Sequence, residues 1–540
     1  MSLSRRTFLL GTTAALAACT SKAKPAAPTT TAVTSPTTPP PTTPSPTTGE
    51  PTTTTVAPAT TLSATTTAKP LGESPFKLGV ASGDPLADRV ILWTRLAVPA
   101  TTTPVSVTWE IATDDAFTKD RKSGEAKAQN EAGFSVHVDA NGLKADTRYF
   151  YRFQANGFTS PIGKTRTVPA EGATVDKLRF GFGSCQEYSE GYYNAHKDIA
   201  VSNLDLFIWL GDYIYEYPVP AGQGVRAVPG DKLRTLDDYR GRYAHYRSEP
   251  NLQAAHASCP WVAVWDDHEV ENNYATNASE TGIPPEEFAQ RRAMAYQAWW
   301  EFMPTRLAAP TGPAYKIYRD LSYGKLARFF LLDGRQYRTD QACGDVVLQL
   351  KPPCDEINSP GRTMLGAEQE AWLLDGLGKA TTTWNVVANQ VVVADATLNG
   401  AVLNFDQWDG YPEARMRLLK GIDATGKTNT VIVTGDIHLA AVADIVLKDG
   451  DAKKVVATEF IGTSISSGAL LPEGTESAIS SFPDLRYLNA RKRGWCLNEV
   501  TPTKWTVTYR IVDDATKPES TRTTDAIFTV TPDKPGAVKG

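Results

Sequence analysis

The sequence predicts an α/β protein with a small all-β domain ahead of the larger α/β part. Three observations carry this prediction. From residue 177 onward, apolar runs long enough for one buried strand alternate with helical stretches. Residues 73–169 contain short strands of alternating polarity separated by turn residues. Several buried strands of the larger part end at carboxylate, histidine or cysteine side chains.

Length and composition restrict the classes of protein that the sequence can belong to. The chain has 540 residues with 41% hydrophobic content, which is enough to bury large cores. Its formal net charge of −5 gives no reason to expect nucleic acid as a partner. Six cysteines are too few for a disulfide scaffold.

The first residues have the features of a targeting segment. Residues 4–10 match the twin-arginine export pattern, and the apolar stretch after them, about a dozen residues, is too short to span a bilayer. It ends in Leu16-Ala17-Ala18-Cys19, which resembles a bacterial lipobox. We therefore predict a twin-arginine lipoprotein signal peptide over residues 1–19, export by the twin-arginine machinery and lipidation of Cys19. The alternative is an ordinary signal peptide with a chance cysteine.

Residues 20–72 are dominated by Thr, Pro, Ala and Ser. This composition cannot bury a core, so we predict an extended, disordered linker. The linker would hold the protein away from a lipid anchor at the outer face of the cell membrane. The alternative is that the protein is released from the membrane. The lipid anchor would be its sole contact with the membrane.

Residues 73–169 are predicted to form a small β domain. The segment Leu143 to Tyr151 is similar to the late-strand pattern of a fibronectin type III sandwich. In that interpretation Tyr149 is the corner tyrosine, and Trp93 or Trp109 is the core tryptophan. No catalytic pattern appears here, which indicates a structural domain or one wall of the site.

Residues 175–535 are predicted to form the catalytic domain. A helix is predicted over residues 284–303, with acidic residues early and basic residues later. Long alternating strands after Trp495 indicate that the sheet finishes antiparallel. The predicted buried strands cover residues 179–183, 206–210, 261–265, 328–332, 386–388 and 431–434.

Polar side chains follow five of the apolar runs. The segments read GFGSCQ, FIWLGDYIYE, VWDDHE, VVANQ and VIVTGDIHLA. Carboxylates, histidine and cysteine at buried strand ends are costly unless something charged lies among them. A metal centre explains all five segments at once.

These segments also carry a resemblance. Residues 75–532 resemble the alkaline phosphatase D family of the calcineurin-like metallophosphatases. The motifs that carry it are GVASGDP, GSCQ, WLGDYIYE, WDDHEVENNY, VANQ, TGDIHL and EFIGTSISS, in this order. The resemblance implies a two-sheet sandwich flanked by helices, with metals on loops at the strand ends.

The resemblance implies two metal sites bridged by Asp212. Candidates for the first site are Cys185, Asp212, Tyr215 and His438, and the phenolate favours ferric iron. Candidates for the second are Asp212, Asp267, Asn389 and Asp436, an all-oxygen set that suits calcium. Zinc or manganese is the alternative. Asp266 competes with Asp267, but alignment with the histidine that follows favours Asp267.

The resemblance further implies phosphoester hydrolysis by a metal-activated hydroxide, with phosphate mono- or diesters as substrates. His268 matches the catalytic histidine and would stabilise the transition state or protonate the leaving oxygen. We predict that Glu269 orients its ring. Asn273 is the candidate phosphate-oxygen donor, with Asn272 as competitor.

Three further predictions complete the sequence analysis. Cys343 and Cys354 are expected to form a disulfide in an exported protein, with a buried free pair as the alternative. Asp333 and Arg335 are expected to form an internal ion pair. Besides the exported alkaline phosphatase or phosphodiesterase, two other functions stay open: a surface binding protein that keeps the fold without turnover, and a redox enzyme that uses the iron.

Overall fold

The structure is a computed structural model that describes residues 72–344 and 349–540. The predicted signal peptide, Cys19 and nearly all of the linker lie outside the described residues. Among the residues that are described, no helix is both long and apolar enough to cross a membrane.

The amino-terminal domain is a β-sandwich of eight strands. Strands β3, β4, β6 and β7 form one sheet with β8 on β6, and β1, β2 and β5 form the opposite side. The Lys144 N–H donates to the Tyr149 hydroxyl over 2.8 Å, which is the tyrosine-corner contact expected of this sandwich. The strands are β1 (Val80–Gly83), β2 (Arg89–Arg95), β3 (Val105–Ala112), β4 (Lys122–Ala128), β5 (Ser135–Asn141), β6 (Arg148–Ala155), β7 (Phe158–Thr159) and β8 (Gly163–Arg166).

The expectation of a core tryptophan in this sandwich is wrong. Trp93 is fully buried, but its indole donates to the Glu301 carbonyl and it belongs to the core of the larger domain. Trp109 is half-buried at the edge of the sandwich core. The centre is filled instead by residues such as Tyr151 and Phe153.

The larger domain contains the remaining strands and all the α-helices of the described residues. They are β9 (Leu178–Gly183), α1 (Asn194–Val201), β10 (Leu206–Trp209), α2 (Leu236–Arg247), α3 (Pro250–Ser258), β11 (Trp261–Ala263), α4 (Pro285–Phe302), β12 (Arg319–Tyr323), β13 (Ala327–Leu331), α5 (Gly366–Lys379), β14 (Trp384–Ala388), β15 (Thr397–Leu398), β16 (Ala401–Val402), α6 (Pro412–Ala424), β17 (Thr430–Thr434), β18 (Ala440–Asp449), β19 (Ala452–Ile461), α7 (Glu476–Ile479), β20 (Leu485–Asn489), β21 (Arg493–Val500), β22 (Trp505–Val512), β23 (Arg522–Thr531) and β24 (Lys534–Lys539). The six predicted strands lie within two residues of the observed bounds.

Two large sheets face each other across the core. One has ten strands in the order β24-β23-β22-β21-β9-β10-β11-β1-β2-β5, and the other has seven in the order β12-β13-β14-β17-β19-β18-β20. Edge-to-face contacts between Phe180 and Phe329, and between Trp384 and Trp505, join them. This is the predicted two-sheet α/β architecture, which is thereby confirmed, and β21–β24 are antiparallel as expected.

The ten-stranded sheet crosses the predicted domain boundary. Strand β1 of the amino-terminal domain pairs in parallel with β11 through Gly83 and Trp261, and the Asp84 N–H donates to the Trp261 carbonyl. The sandwich strands β1, β2 and β5 are therefore also the end of the large sheet. The smaller domain is joined to the larger one by main-chain hydrogen bonds as well as by side-chain packing.

Helices cover the outer faces of the sheets. Helix α5 buries Leu373 and Leu377, and α6 buries Leu418 and Leu419, against the seven-stranded sheet. Helices α1, α3 and α4 contribute to the core of the ten-stranded sheet.

Candidate metal centre and active site

The predicted site residues come from loops that follow parallel strands. Strands β9, β10 and β11 are parallel neighbours, and so are β14 and β17 in the facing sheet. Cys185 follows β9, Asp212 follows β10, Asp267 follows β11, Asn389 follows β14, and Asp436 and His438 follow β17. Because parallel strands end at the same edge of a sheet, these side chains converge where the two sheets meet.

The first cluster brings together the four residues predicted for one metal site. Ligand atoms of Cys185, Asp212 and His438 lie within 4.8 Å of one another. The Tyr215 hydroxyl donates to Asp212 Oδ2 over 3.0 Å and lies 3.3 Å from His438 Nε2. His438 Nδ1 is bonded to the Gly468 carbonyl at 2.8 Å, which leaves Nε2 to face the cluster.

The second cluster is rich in oxygen. Ligand atoms of Asp212, Asp267 and His268 lie within 4.8 Å of one another, and so do those of Asp266, Asp267 and Asp436. Asp212 therefore borders both clusters. Asn389 follows β14 beside the end of β17, and its buried Oδ1 has no hydrogen-bond partner among the described residues. Asp212 Oδ1 is buried and lacks such a partner too.

Burial shifts the acids of the clusters toward their neutral forms. It raises the pKa of the Asp212 carboxyl, the Cys185 thiol and the Tyr215 phenol well above their usual ranges, and neighbouring carboxylates add to the effect. Three buried acids in contact need a cation among them before all can ionise. Together with the two unpartnered oxygens, this donor set fits a metal centre.

Four predicted ligands adopt a backbone conformation that non-glycine residues rarely use. Cys185, Asp212, Asp436 and His438 have φ values of 60°, 56°, 62° and 54°. Such conformations cost free energy and persist where the surrounding structure enforces them, commonly at functional sites. The left-handed turns bend the chain away from the strand direction and aim these side chains into the clusters.

The predicted role of Glu269 is wrong. His268 Nδ1 is bonded to Glu216 Oε2 at 2.7 Å. Glu269 instead accepts the backbone N–H groups of Asp212, Tyr213 and Asp266, because its side chain turns back to close the loop beneath the cluster. Glu216 is the residue that sequence reasoning missed. The sequence feature that could have identified Glu216 is its position four residues after Asp212, on the same loop as Tyr215.

The predicted ion pair of Asp333 and Arg335 is also wrong. Asp333 accepts the backbone N–H groups of Arg335 and Gln336 in a turn. The Arg335 guanidinium extends away from that turn and binds the carboxylates of Asp266 and Asp406. Asp266, the competitor of Asp267 in the sequence, is thus an ion-pair partner that lies against the second cluster.

Asn273 lies at the edge of the second cluster. Its backbone N–H donates to Asp267 Oδ2 over 2.6 Å, and its carbonyl accepts from Gln341 Nε2 over 2.8 Å. The Asn272 N–H donates to Glu216 Oε1. Cys343 and Cys354 form a disulfide two residues beyond Gln341, so this covalent link lies close in the chain to a residue that contacts the site.

Comparison with known proteins agrees with this geometry. Residues 180–509 match the family model of the PhoD-like phosphatase, and residues 61–169 match that of the PhoD-like phosphatase N-terminal domain. Alkaline phosphatase D of Bacillus subtilis (strain 168) is 44% identical over 485 residues, covering 86% of this chain and 82% of that protein. A solved structure described as the structure of PhoD superposes with a TM-score of 0.83 at 43% identity, covering 87% of this chain and 93% of the other.

The fold, the clustered acids and these matches define a phosphoric ester hydrolase. Within that class, the chain belongs to the PhoD-like phosphatase family.

Proposed function

We propose that this protein is an exported phosphoesterase, an alkaline phosphatase or phosphodiesterase, that depends on two adjoining metal sites. The observation that carries the proposal is that Asp212 lies in two ligand groups, one with Cys185 and His438 and one with Asp267 and His268, and that Asp267 joins the latter to the carboxylates of Asp266 and Asp436. A binding protein without turnover would have no need of His268 and Glu216 beside such a cluster.

The donor sets indicate which metals fit. Cys185, Tyr215, His438 and Asp212 would hold ferric iron, because a phenolate and a thiolate stabilise a high-charge cation. Asp212, Asp267, Asn389 and Asp436 offer only oxygen and would hold calcium. Zinc or manganese in the same positions is the alternative. When bound, the ions would neutralise phosphoryl charge and lower the pKa of the attacking water.

The chain's own residues supply orientation and proton transfer. Glu216 fixes the His268 ring through Nδ1, which leaves Nε2 to carry a proton to the leaving oxygen. The Asn273 side chain would donate to a phosphoryl oxygen, since its backbone is bonded to the ligand Asp267. Burial of both clusters excludes bulk water and strengthens these contacts.

We propose that the protein acts outside the cytoplasm. The support is the twin-arginine pattern and the lipobox-like ending at Cys19, together with the 343–354 disulfide. The tether over residues 20–72 would let the enzyme reach substrates beyond an anchor on the outer face of the membrane. Mass spectrometry of the mature protein tests this assignment, since it should find a lipidated amino-terminal Cys19.

Asp212→Asn is the decisive variant for the enzymatic proposal. It keeps the size of the side chain but removes the charge shared by both clusters. We expect phosphate ester hydrolysis to fall at least about a thousandfold, because both metal sites lose a charged ligand. Elemental analysis of the exported wild-type protein should find iron near one per chain with calcium beside it. Unchanged turnover in Asp212→Asn would overturn the proposal, and zinc or manganese in place of iron would overturn the metal assignment.

A further inference from the structure

A fully buried arginine lies against the carboxylates of the second cluster. Arg335 has no exposed side-chain surface. Its Nη1 and Nη2 each donate to one Asp406 oxygen over 2.9 Å, and its Nε donates to Asp266. Such a forked ion pair fixes both partners in one plane, which a lysine cannot reproduce.

The same guanidinium faces two proposed metal ligands. Arg335 Nη2 lies 3.8 Å from Asp267 Oδ1 and 3.7 Å from Asp436 Oδ1. These distances exceed a normal hydrogen bond but are short for opposite charges in a buried environment. The cation therefore offsets the mutual repulsion of the carboxylates that must share one ion.

The loop that carries Asp406 also holds Asp436. The adjoining residue Gln407 donates from Nε2 to Asp436 Oδ2 over 2.7 Å, and its Oε1 accepts the Val392 N–H. On the Asp267 side, Oδ2 accepts the Asn273 N–H and Oδ1 accepts the His268 N–H. Both carboxylates are thus oriented by contacts behind them, with Arg335 between the two.

The Asp406 carboxylate that binds Arg335 is itself held by a second arginine. Arg338 donates to Asp406 Oδ1 over 2.7 Å and to the Asp406 carbonyl over 3.0 Å. Gln341 donates to the same carboxylate oxygen. Asp406 therefore serves as the anchor of a cationic network that ends at the second cluster.

We propose that Arg335, anchored by Asp406, is a positioning residue that presets Asp267 and Asp436 for a divalent ion at the second site. This inference rests on the two-site proposal above. The positive charge stays in place whether or not the ion is bound, so it lowers the repulsion between Asp267 and Asp436 in the empty site as well. We expect the first site to keep its iron when the network is disturbed, since Cys185, Tyr215 and His438 lie in the other cluster.

The test measures calcium binding and iron content separately. Wild type, Arg335→Lys and Asp406→Asn are produced with iron, stripped of calcium and titrated with calcium by calorimetry. We expect the Kd for calcium to rise about 10–100-fold in both variants, the range typical of residues that support metal ligands. Iron content and the visible absorption of a tyrosinate–ferric centre should remain as in the wild type.

A matched control comes from a similar ion pair elsewhere. Arg240 binds Glu301 through both Nε and Nη2, away from the two clusters. Arg240→Lys should leave the calcium Kd and the visible band unchanged. If Arg335→Lys does not fold, Asp406→Asn decides the matter, because it keeps an acceptor oxygen for the guanidinium.

The outcomes separate the two proposals. A calcium Kd equal to that of the wild type in a folded variant overturns the role of Arg335 and leaves the proposed function standing. Loss of iron in parallel with calcium overturns the restriction to the second site. A wild-type protein that binds no metal overturns the proposed function, and this inference with it.

Discussion

At the residue scale, the site depends on pairs that are distant in sequence. His268 is oriented by Glu216, which is 52 positions earlier, whereas the adjacent Glu269 closes a loop through backbone N–H groups. The ligands themselves could be predicted, because polar residues after buried strands are conspicuous and parallel strands bring them together. The orienting residues could not, because side-chain direction within a tight loop is set by tertiary contacts rather than by spacing.

Glu216→Gln should weaken catalysis in a way that depends on the leaving group. The amide no longer balances a charge on the His268 ring, so proton donation to the leaving oxygen becomes less effective. We expect kcat to fall about 10–100-fold on alkyl phosphate esters and much less on a p-nitrophenyl ester, whose leaving group needs no proton. An equal loss on both substrates would contradict the assignment of Glu216 to His268.

At the element scale, the strands themselves could be predicted, because the pattern that marks them is local. The pairing of the strands could not be predicted, because it joins segments that are far apart in the chain. Periodicity placed the six buried strands within two residues of their observed bounds. Nothing in that pattern indicated that β1 would pair with β11, because the two strands are far apart in the chain and join only in the folded state. The prediction that Trp93 fills the core of the small sandwich was wrong for the same reason, since Trp93 packs across this joint into the larger domain.

Gly83→Ala should destabilise the joint between the two domains. A Cβ atom at this position would overlap the Pro304 carbonyl and would lie 2.5 Å from the Trp261 carbonyl, both of them backbone atoms that cannot rotate away. We expect a loss of about 1–3 kcal/mol in the free energy of unfolding, measured with urea. The control is Gly378→Ala in α5, where nothing lies within 4 Å and the helix should gain about 0.5–1 kcal/mol. Equal stability of Gly83→Ala and wild type would show that the joint can relax.

At the scale of the whole molecule, stability depends on buried acids outside the site as well as within it. Asp409 accepts the Ala396 N–H, and burial raises its pKa to about 7, an effect that Arg415 partly offsets. In the unfolded chain this carboxyl ionises near pH 4. Between about pH 4 and 7 the folded protein therefore keeps a proton that the unfolded chain has released. The contribution of the protonated Asp409 carboxyl to the free energy of unfolding is fully present below this pH window. It is lost as the pH rises through the window.

Asp409→Asn should flatten this pH dependence. The amide keeps an acceptor for the Ala396 N–H and cannot ionise. As the pH rises from 5 to 8, the free energy of unfolding of the variant should therefore increase by about 1–3 kcal/mol relative to that of the wild type. Urea unfolding at the two pH values measures the change. Asp375→Asn, at an exposed ion pair, serves as the control and should follow the wild type. Parallel curves for Asp409→Asn and wild type would contradict the prediction.

The strand pairing between Gly83 and Trp261 also bears on how this protein can be divided. A catalytic fragment that starts after residue 169 would lack β1, β2 and β5, and the Trp261 carbonyl would lose the Asp84 N–H. The freed side of β11 would then be an unprotected strand edge next to apolar surface that Trp93 normally covers. Edges of this kind recruit strands from other molecules. The amino-terminal domain thus also covers the β11 edge of the large sheet against pairing with other molecules.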